Sequence, residues 1–209
     1  MARIYVARHG ETDWNREARY QGQLESRLTE LGLRQAEALA AALAGARIER
    51  VLSSPLARCR DTAEAIARKT GARVEIDPLL LEIAHGSWEG RLRGDIERDD
   101  PARMHAWRTA PSTVRFEGGE SLAEVGERWR RFAASIAGGR NTVAVTHDVI
   151  VRLAILWASR RPEGDLWEPR VRNGGYAAFE TSGSAWEVLD ECCESHLAGL
   201  FSEEARQAL

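Results

Sequence analysis

Apolar and polar positions along the chain switch between two periods, and the switches mark alternating strands and helices. Arg3–Ala7 is a short apolar run that stops at Arg8-His9-Gly10, which predicts a buried strand ending in a tight loop. From Thr29, Leu33, Ala36, Ala40 and Leu43 recur at helical spacing, and Gly45 closes the run. Arg50–Ser53 predicts a brief strand. Ser54-Pro55 then reads as an N-cap with proline at the first helical position, and Leu56, Cys59, Ala63 and Ile66 as the inner face of a helix that stops at Gly71.

Arg73–Ile76 is a further candidate strand, followed by a loop through Glu82 and Gly86. Asp95–Pro111 is mixed and charged, with Met104 and Trp107 as its apolar points, and irregular helical turns are expected there. Ser121-Leu122-Ala123-Glu124 matches a capping box and opens a helix with Leu122, Val125, Trp129, Phe132 and Ile136 on one face, ended by Gly138-Gly139. Thr142–Thr146 predicts a strand, and His147 starts a helix ending near Ala158. Tyr176–Glu180 and Ala185–Asp190 read as a hairpin around Ser182-Gly183-Ser184. Strands alternating with helices imply an α/β fold, a mostly parallel sheet covered on both faces. A single domain over 1–209 is expected, with 194–209 a loosely held polar tail.

Composition narrows the class. A chain of 209 residues, 44% hydrophobic, is long enough for one buried α/β core. A net charge of −3 offers no basic surface for nucleic acid. No apolar run is long enough to span a bilayer, so no membrane partner is expected. Three cysteines, Cys59, Cys192 and Cys193, make neither a disulfide framework nor a zinc set, and a reducing, cytoplasmic compartment is the plain reading. No histidine or carboxylate cluster has ligand spacing; neither a metal nor another cofactor is expected.

In an open parallel sheet, functional groups collect at the carboxyl ends of strands. Arg8-His9 follows the first strand, Thr146-His147 follows a later one, and Arg58 lies in the first turn of the helix after the second. Two arginines, two histidines and helix N-termini make an anion-seeking crevice. Phosphoryl transfer fits it: arginine forks stabilise the charge spread over the oxygens in flight, and a neutral imidazole is a competent nucleophile when its other nitrogen is held by an acceptor. Glu82 is the candidate acid, since a carboxyl beside a phosphate dianion keeps its proton near neutrality.

Arg8-His9-Gly10-Glu11-Thr12, Trp14-Asn15, Arg19-Tyr20-Gln21-Gly22 and Leu28-Thr29 resemble the opening of the histidine phosphatase (phosphoglycerate mutase-like) superfamily. The resemblance continues through Ser53–Arg58, Leu80-Leu81-Glu82, Gly86–Gly90, Gly118–Ser121 and Thr146-His147. It implies a three-layer α/β/α sandwich with one late antiparallel strand. It also implies His9 as the phosphorylated residue, Arg8, Arg58 and His147 as the phosphate pocket, Glu82 as proton donor, Asn15 as a phosphate contact, and Gln21 and Gly22 at the substrate entrance. Two departures stand out. Asp148 follows His147 where the family has glycine; it is read as capping the helix or facing the substrate. Arg27 replaces a usual proline.

The function expected is a phosphomonoesterase acting on a small phosphorylated metabolite through a phosphohistidine. A phosphoglycerate mutase is the first rival, disfavoured by Ile83 after Glu82, where mutases carry arginine, and by a short Trp88–Gly118 segment. A non-catalytic phosphate-ligand module is the rival from another class. A serine hydrolase is set aside for want of a Gly-x-Ser-x-Gly elbow. His85 is a candidate substrate contact, 91–117 a candidate substrate-covering insertion, and a homodimer is compatible with the reading. Trp14, His85, Trp88, Met104 and Trp107 are expected to give the entrance an aromatic character, with Arg103 and Arg108 as candidates for a second anionic group.

Overall fold

A computed structural model describes residues 1–136 and 139–201 of the chain. Six strands form one sheet in the order β3-β2-β4-β1-β5-β6: β1 (Ala2–Arg8), β2 (Arg50–Ser53), β3 (Val74–Ile76), β4 (Thr142–Thr146), β5 (Tyr176–Ser182) and β6 (Ala185–Cys193). The first four pair in parallel, and β5 runs antiparallel to β1 and β6. All five residues of β4 are buried, as central parallel strands covered on both faces require. Alternation along β1 feeds two cores. Ile4 and Val6 join the cluster under α6 (Leu122–Ser135) and α7 (Asp148–Ser159). Tyr5 and Ala7 join the one under α2 (Glu30–Leu43) and α3 (Ala57–Thr70).

Several local expectations are met with specific chemistry. Thr29 caps α2, Gly71 takes the left-handed conformation that ends α3, and Ser121 and Glu124 close the capping box of α6. Gly138, read as part of the stop of α6, lies outside the described residues, as do residues 202–209 of the tail. Residues 194–201 are held: Leu197 is fully buried, Gln35 Nε2 donates to the Leu200 carbonyl (2.8 Å), and Arg172 stacks on Phe201.

Two expectations are corrected, and one short helix is added. The third helix begins at Ala57 rather than Pro55, with Leu56 as a cap that offers no side-chain bond. Its Ala57 N–H donates instead to Glu25 Oε2 (2.9 Å), while the Ser54 hydroxyl accepts from Leu56 N (3.5 Å) and meets His147 Nε2 (2.8 Å). The stretch read as irregular turns holds two regular helices, α4 (Arg93–Asp99) and α5 (Pro101–Thr109), divided where Asp100 caps the second and Pro101 starts it. Their apolar points Ile96, Met104 and Trp107 sink into the larger core cluster. A one-turn helix, α1 (Asp13–Arg16), had no periodicity to announce it; its Thr12–Asn15 capping box makes it.

Candidate active site

His9 lies immediately after β1, and three backbone bonds fix its position: its N–H donates to Thr146 O (3.0 Å), and its carbonyl accepts from Gly174 N (3.1 Å) and Asn173 Nδ2 (3.2 Å). Its Nδ1 is 2.7 Å from the Gly10 carbonyl. A carbonyl can only accept, so Nδ1 carries the proton and Nε2 keeps its lone pair. Burial, then the Arg58 and Arg8 guanidiniums, hold this imidazole well below the usual histidine range, so it stays neutral under mildly acidic conditions.

His147 ends β4 and meets His9 edge to face at 5.3 Å between ring centroids. Arg58 Nε donates to its Nδ1 (3.3 Å), which places the His147 proton on Nε2, 2.8 Å from Ser54 Oγ. Cys59 Sγ packs 3.4 Å from the same nitrogen, and burial pushes that thiol up. Arg58 also donates Nη1 to Leu24 O (2.8 Å) and Nη2 to Gly22 O (2.7 Å). Three of the five N–H groups of a guanidinium are thereby engaged, and two remain for an anion. Arg8 is held by Val171 O (2.8 Å from Nη1).

Glu82 lies in the loop after a 3-10 turn, Pro78–Leu80, and is buried. Burial first, and the charge of Asp148 second, push its carboxyl up to about 7. Its loop is fastened from behind: Arg128 donates to the carbonyls of Leu79 (2.9 Å), Leu81 (2.6 Å) and Glu82 (3.3 Å), and Glu120 accepts from Ala84 N (2.9 Å). Glu89 accepts from Gln23 N (3.1 Å) and His85 N (2.9 Å), tying the 20–28 loop to the 82–90 loop. Asn15 accepts through Oδ1 from Thr12 N and from Asn173 Nδ2, leaving only its Nδ2 donors for a phosphate oxygen.

The structure brings Arg8, His9, Arg58, Glu82, Asn15 and His147 together and revises the outer residues. Gly22 packs closely on the 82–90 loop: a Cβ there would fall 2.0 Å from Glu89 Oε1. Gln21 Oε1 accepts from Ser26 Oγ (2.6 Å), so its amide N–H groups are what it can present. Asp148 is the first residue of α7, but its carboxylate pairs with Arg8 (3.1 Å) and Arg152 (2.8 Å) rather than capping backbone N–H groups. His85 is caged by Tyr20, Trp107 and Phe116, with Nδ1 buried and unbonded; burial takes it to about 3. Trp88, Met104 and Trp107 are core rather than entrance, and Arg103 and Arg108 pair with Asp100 and Glu97. Sequence reading did not assign roles to Glu89, Glu120, Arg128 or Asn173. The first two stand inside motifs already singled out, whereas Asn173 lies in an aperiodic loop with no signal.

Comparison with known proteins finds relatives that span all or much of the chain. Over its whole length and that of the relative, the chain is 31% identical to phosphoserine phosphatase 1 of Hydrogenobacter thermophilus. It is 39% identical over 134 residues to glucosyl-3-phosphoglycerate phosphatase of Mycobacterium tuberculosis, covering 64% of this chain and 60% of that protein. The solved structure of Bacillus stearothermophilus YhfR superposes with a TM-score of 0.90 at 29% identity, covering 94% of this chain and all of that one. With phosphatases among its relatives, the chain is a phosphomonoesterase. The model of the histidine phosphatase superfamily, branch 1, matches residues 4–193, and the chain belongs to that family.

Proposed function

We propose that His9 is the nucleophile, that Arg8, Arg58 and Asn15 hold the phosphoryl group, that His147 joins them by turning its Nε2–H from Ser54 Oγ to a phosphoryl oxygen, and that Glu82 protonates the departing alcohol. The observation that carries this reading is the 2.7 Å contact of His9 Nδ1 with Gly10 O, which leaves Nε2 as the bare nitrogen of a neutral ring. Nε2 attacks phosphorus, the ester P–O bond breaks, and the Glu82 proton passes to the leaving oxygen. Water then attacks the phosphohistidine, losing its proton to the Glu82 carboxylate; the P–N bond breaks with its electron pair returning to His9 Nε2, and inorganic phosphate departs. The arginines stay charged throughout and stabilise the equatorial oxygens. The free thiols of Cys59, Cys192 and Cys193 support a reducing, cytoplasmic setting. The exposed Leu189 on the edge strand β6 supports pairing of two copies.

Enzyme quenched during turnover in the presence of a chelator should carry phosphate that is labile to acid and stable to base. His9→Ala should abolish both label and turnover. A fully active His9→Ala protein overturns the mechanism, and activity that depends on added magnesium or zinc overturns its metal independence.

A further inference from the structure

Four groups close a ring behind the phosphate pocket. Arg8 Nη1 lies 3.1 Å from Asp148 Oδ1, and Asp148 Oδ2 accepts from Arg152 Nε at 2.8 Å. Arg152 Nη1 donates to the Pro169 carbonyl, its guanidinium lies over the Trp167 ring, and Val171, two residues beyond Pro169, accepts from Arg8 Nη1 at 2.8 Å. All three charged side chains are buried, between 3% and 6% exposed. Arg8 is thus held from two sides, and both supports lead back to one carboxylate. The spacing of Asp148 and Arg152 by four residues sets them on one face of α7. Asp148 Oδ1 has no aligned hydrogen bond, so its attraction to Arg8 is that of charges rather than of a directed donor.

We infer that Asp148 is a positioning residue of the reaction, fixing the stance of Arg8 toward the phosphoryl group and keeping a negative charge beside Glu82. This rests on the assignment of Glu82 as the acid. An arginine that must meet a trigonal phosphoryl group gains from being oriented beforehand, because no reorganisation is then needed at the moment of transfer. The carboxylate also opposes ionisation of a neighbouring acid. The groups acting on the Glu82 carboxyl are Arg8 from β1, Arg58 and Cys59 from α3, and Asp148 from α7, with the Ile83 N–H donating to it. Arg128 of α6 reaches its carbonyl. Both arginines favour the ionised form and Asp148 opposes it. His9 and His147 are neutral in this environment and add no charge.

The test uses pH profiles of kcat/KM on one alkyl ester, glycerol 2-phosphate, so that ionisation of the substrate is common to all variants. Asp148→Asn should lower kcat/KM about ten- to a hundredfold through misplacement of Arg8. It should also move the alkaline limb toward acid by on the order of half a pH unit, as Glu82 releases its proton sooner. Arg152→Met takes away the positive partner of Asp148, so the Asp148 charge acts on Glu82 less opposed and that limb should move the opposite way, toward alkali. Should Asp148→Asn fail to fold, the direction read from Arg152→Met decides alone. A rate loss with an unmoved limb, or two variants moving the limb in the same direction, overturns the inference and leaves Asp148 a merely structural residue. Glu82→Gln separates this from the assignment beneath it: a limb that persists in Glu82→Gln shows that Glu82 is not the acid.

Discussion

A nitrophenolate leaves as a stable anion, whereas an alkoxide needs a proton delivered as the bond breaks. With its carboxyl near 7, Glu82 is protonated in much of the protein at neutral pH and is matched to that delivery. Glu82→Gln keeps the size but has no proton to give. Single-turnover phosphorylation of His9 should therefore slow about a hundred- to ten-thousandfold for an alkyl phosphate and far less for p-nitrophenyl phosphate. Equal slowing of both removes Glu82 from the role. At this scale the sequence was most legible where a residue stands at the carboxyl end of a strand, as Arg8, His9 and His147 do. It was least legible for Trp88, Trp107 and His85. An aromatic residue in a stretch without periodicity looks the same whether it faces a substrate or a core, and only the packing of Tyr20 and Phe116 around them decides.

Among the elements, one tight junction is between the catalytic loop and α2. A Cβ on Gly32 would lie 2.0 Å from the Glu11 carbonyl oxygen, and one on Gly10 would lie 2.3 Å from the Gly32 oxygen. Both obstacles are backbone, so neither can swing aside. Gly32→Ala should cost about 1–3 kcal/mol of unfolding free energy by urea titration, with lower turnover as the His9 loop is displaced. Gly45, just past the end of the same helix, has open space at its Cβ position, and Gly45→Ala should stay within about 1 kcal/mol of the parent. A Gly32→Ala protein of parental stability would show that the loop is not pressed on the helix. Periodicity announced α2, α3 and α6 because each lays one stripe on the sheet, whereas α7, buried on every side from Asp148 to Leu156, showed only as a helix following the Thr142–Thr146 strand. It could not resolve α4 and α5, whose few buried residues are spaced by a cap and a proline, nor α1, which is a single turn.

For the whole molecule, burial of titratable groups links folding to pH. His9, His85 and His147 are all held below the ordinary histidine value of 6.5, and Glu82 is raised above 4.5. Between those two ordinary values the unfolded chain binds protons on three histidines that the folded molecule leaves bare, while folded Glu82 keeps one that the unfolded chain releases. The net excess of about two protons favours the unfolded state as pH falls, so stability is greatest above pH 6.5. It declines below that by on the order of 2–3 kcal/mol per pH unit. Urea midpoints at pH 7 and pH 5 measure the decline. His85→Phe should flatten it, since phenylalanine suits the aromatic cage and takes up no proton; an unchanged slope in that variant would exclude His85 as a contributor. The sheet order itself was only partly legible. Its alternation of strands and helices gave the layers, but the reversal at β5 came from the family resemblance.

That reversal has a practical side. Because β5 runs from Tyr176 beside Ala7 to Thr181 beside Ala2, the turn at Gly183-Ser184 emerges at the end of the sheet remote from His9. The length of β1, roughly 20 Å, separates the two ends. A tether to a bead or electrode spliced into that turn would leave the crevice facing the bulk solution, with substrate diffusion unobstructed by the support.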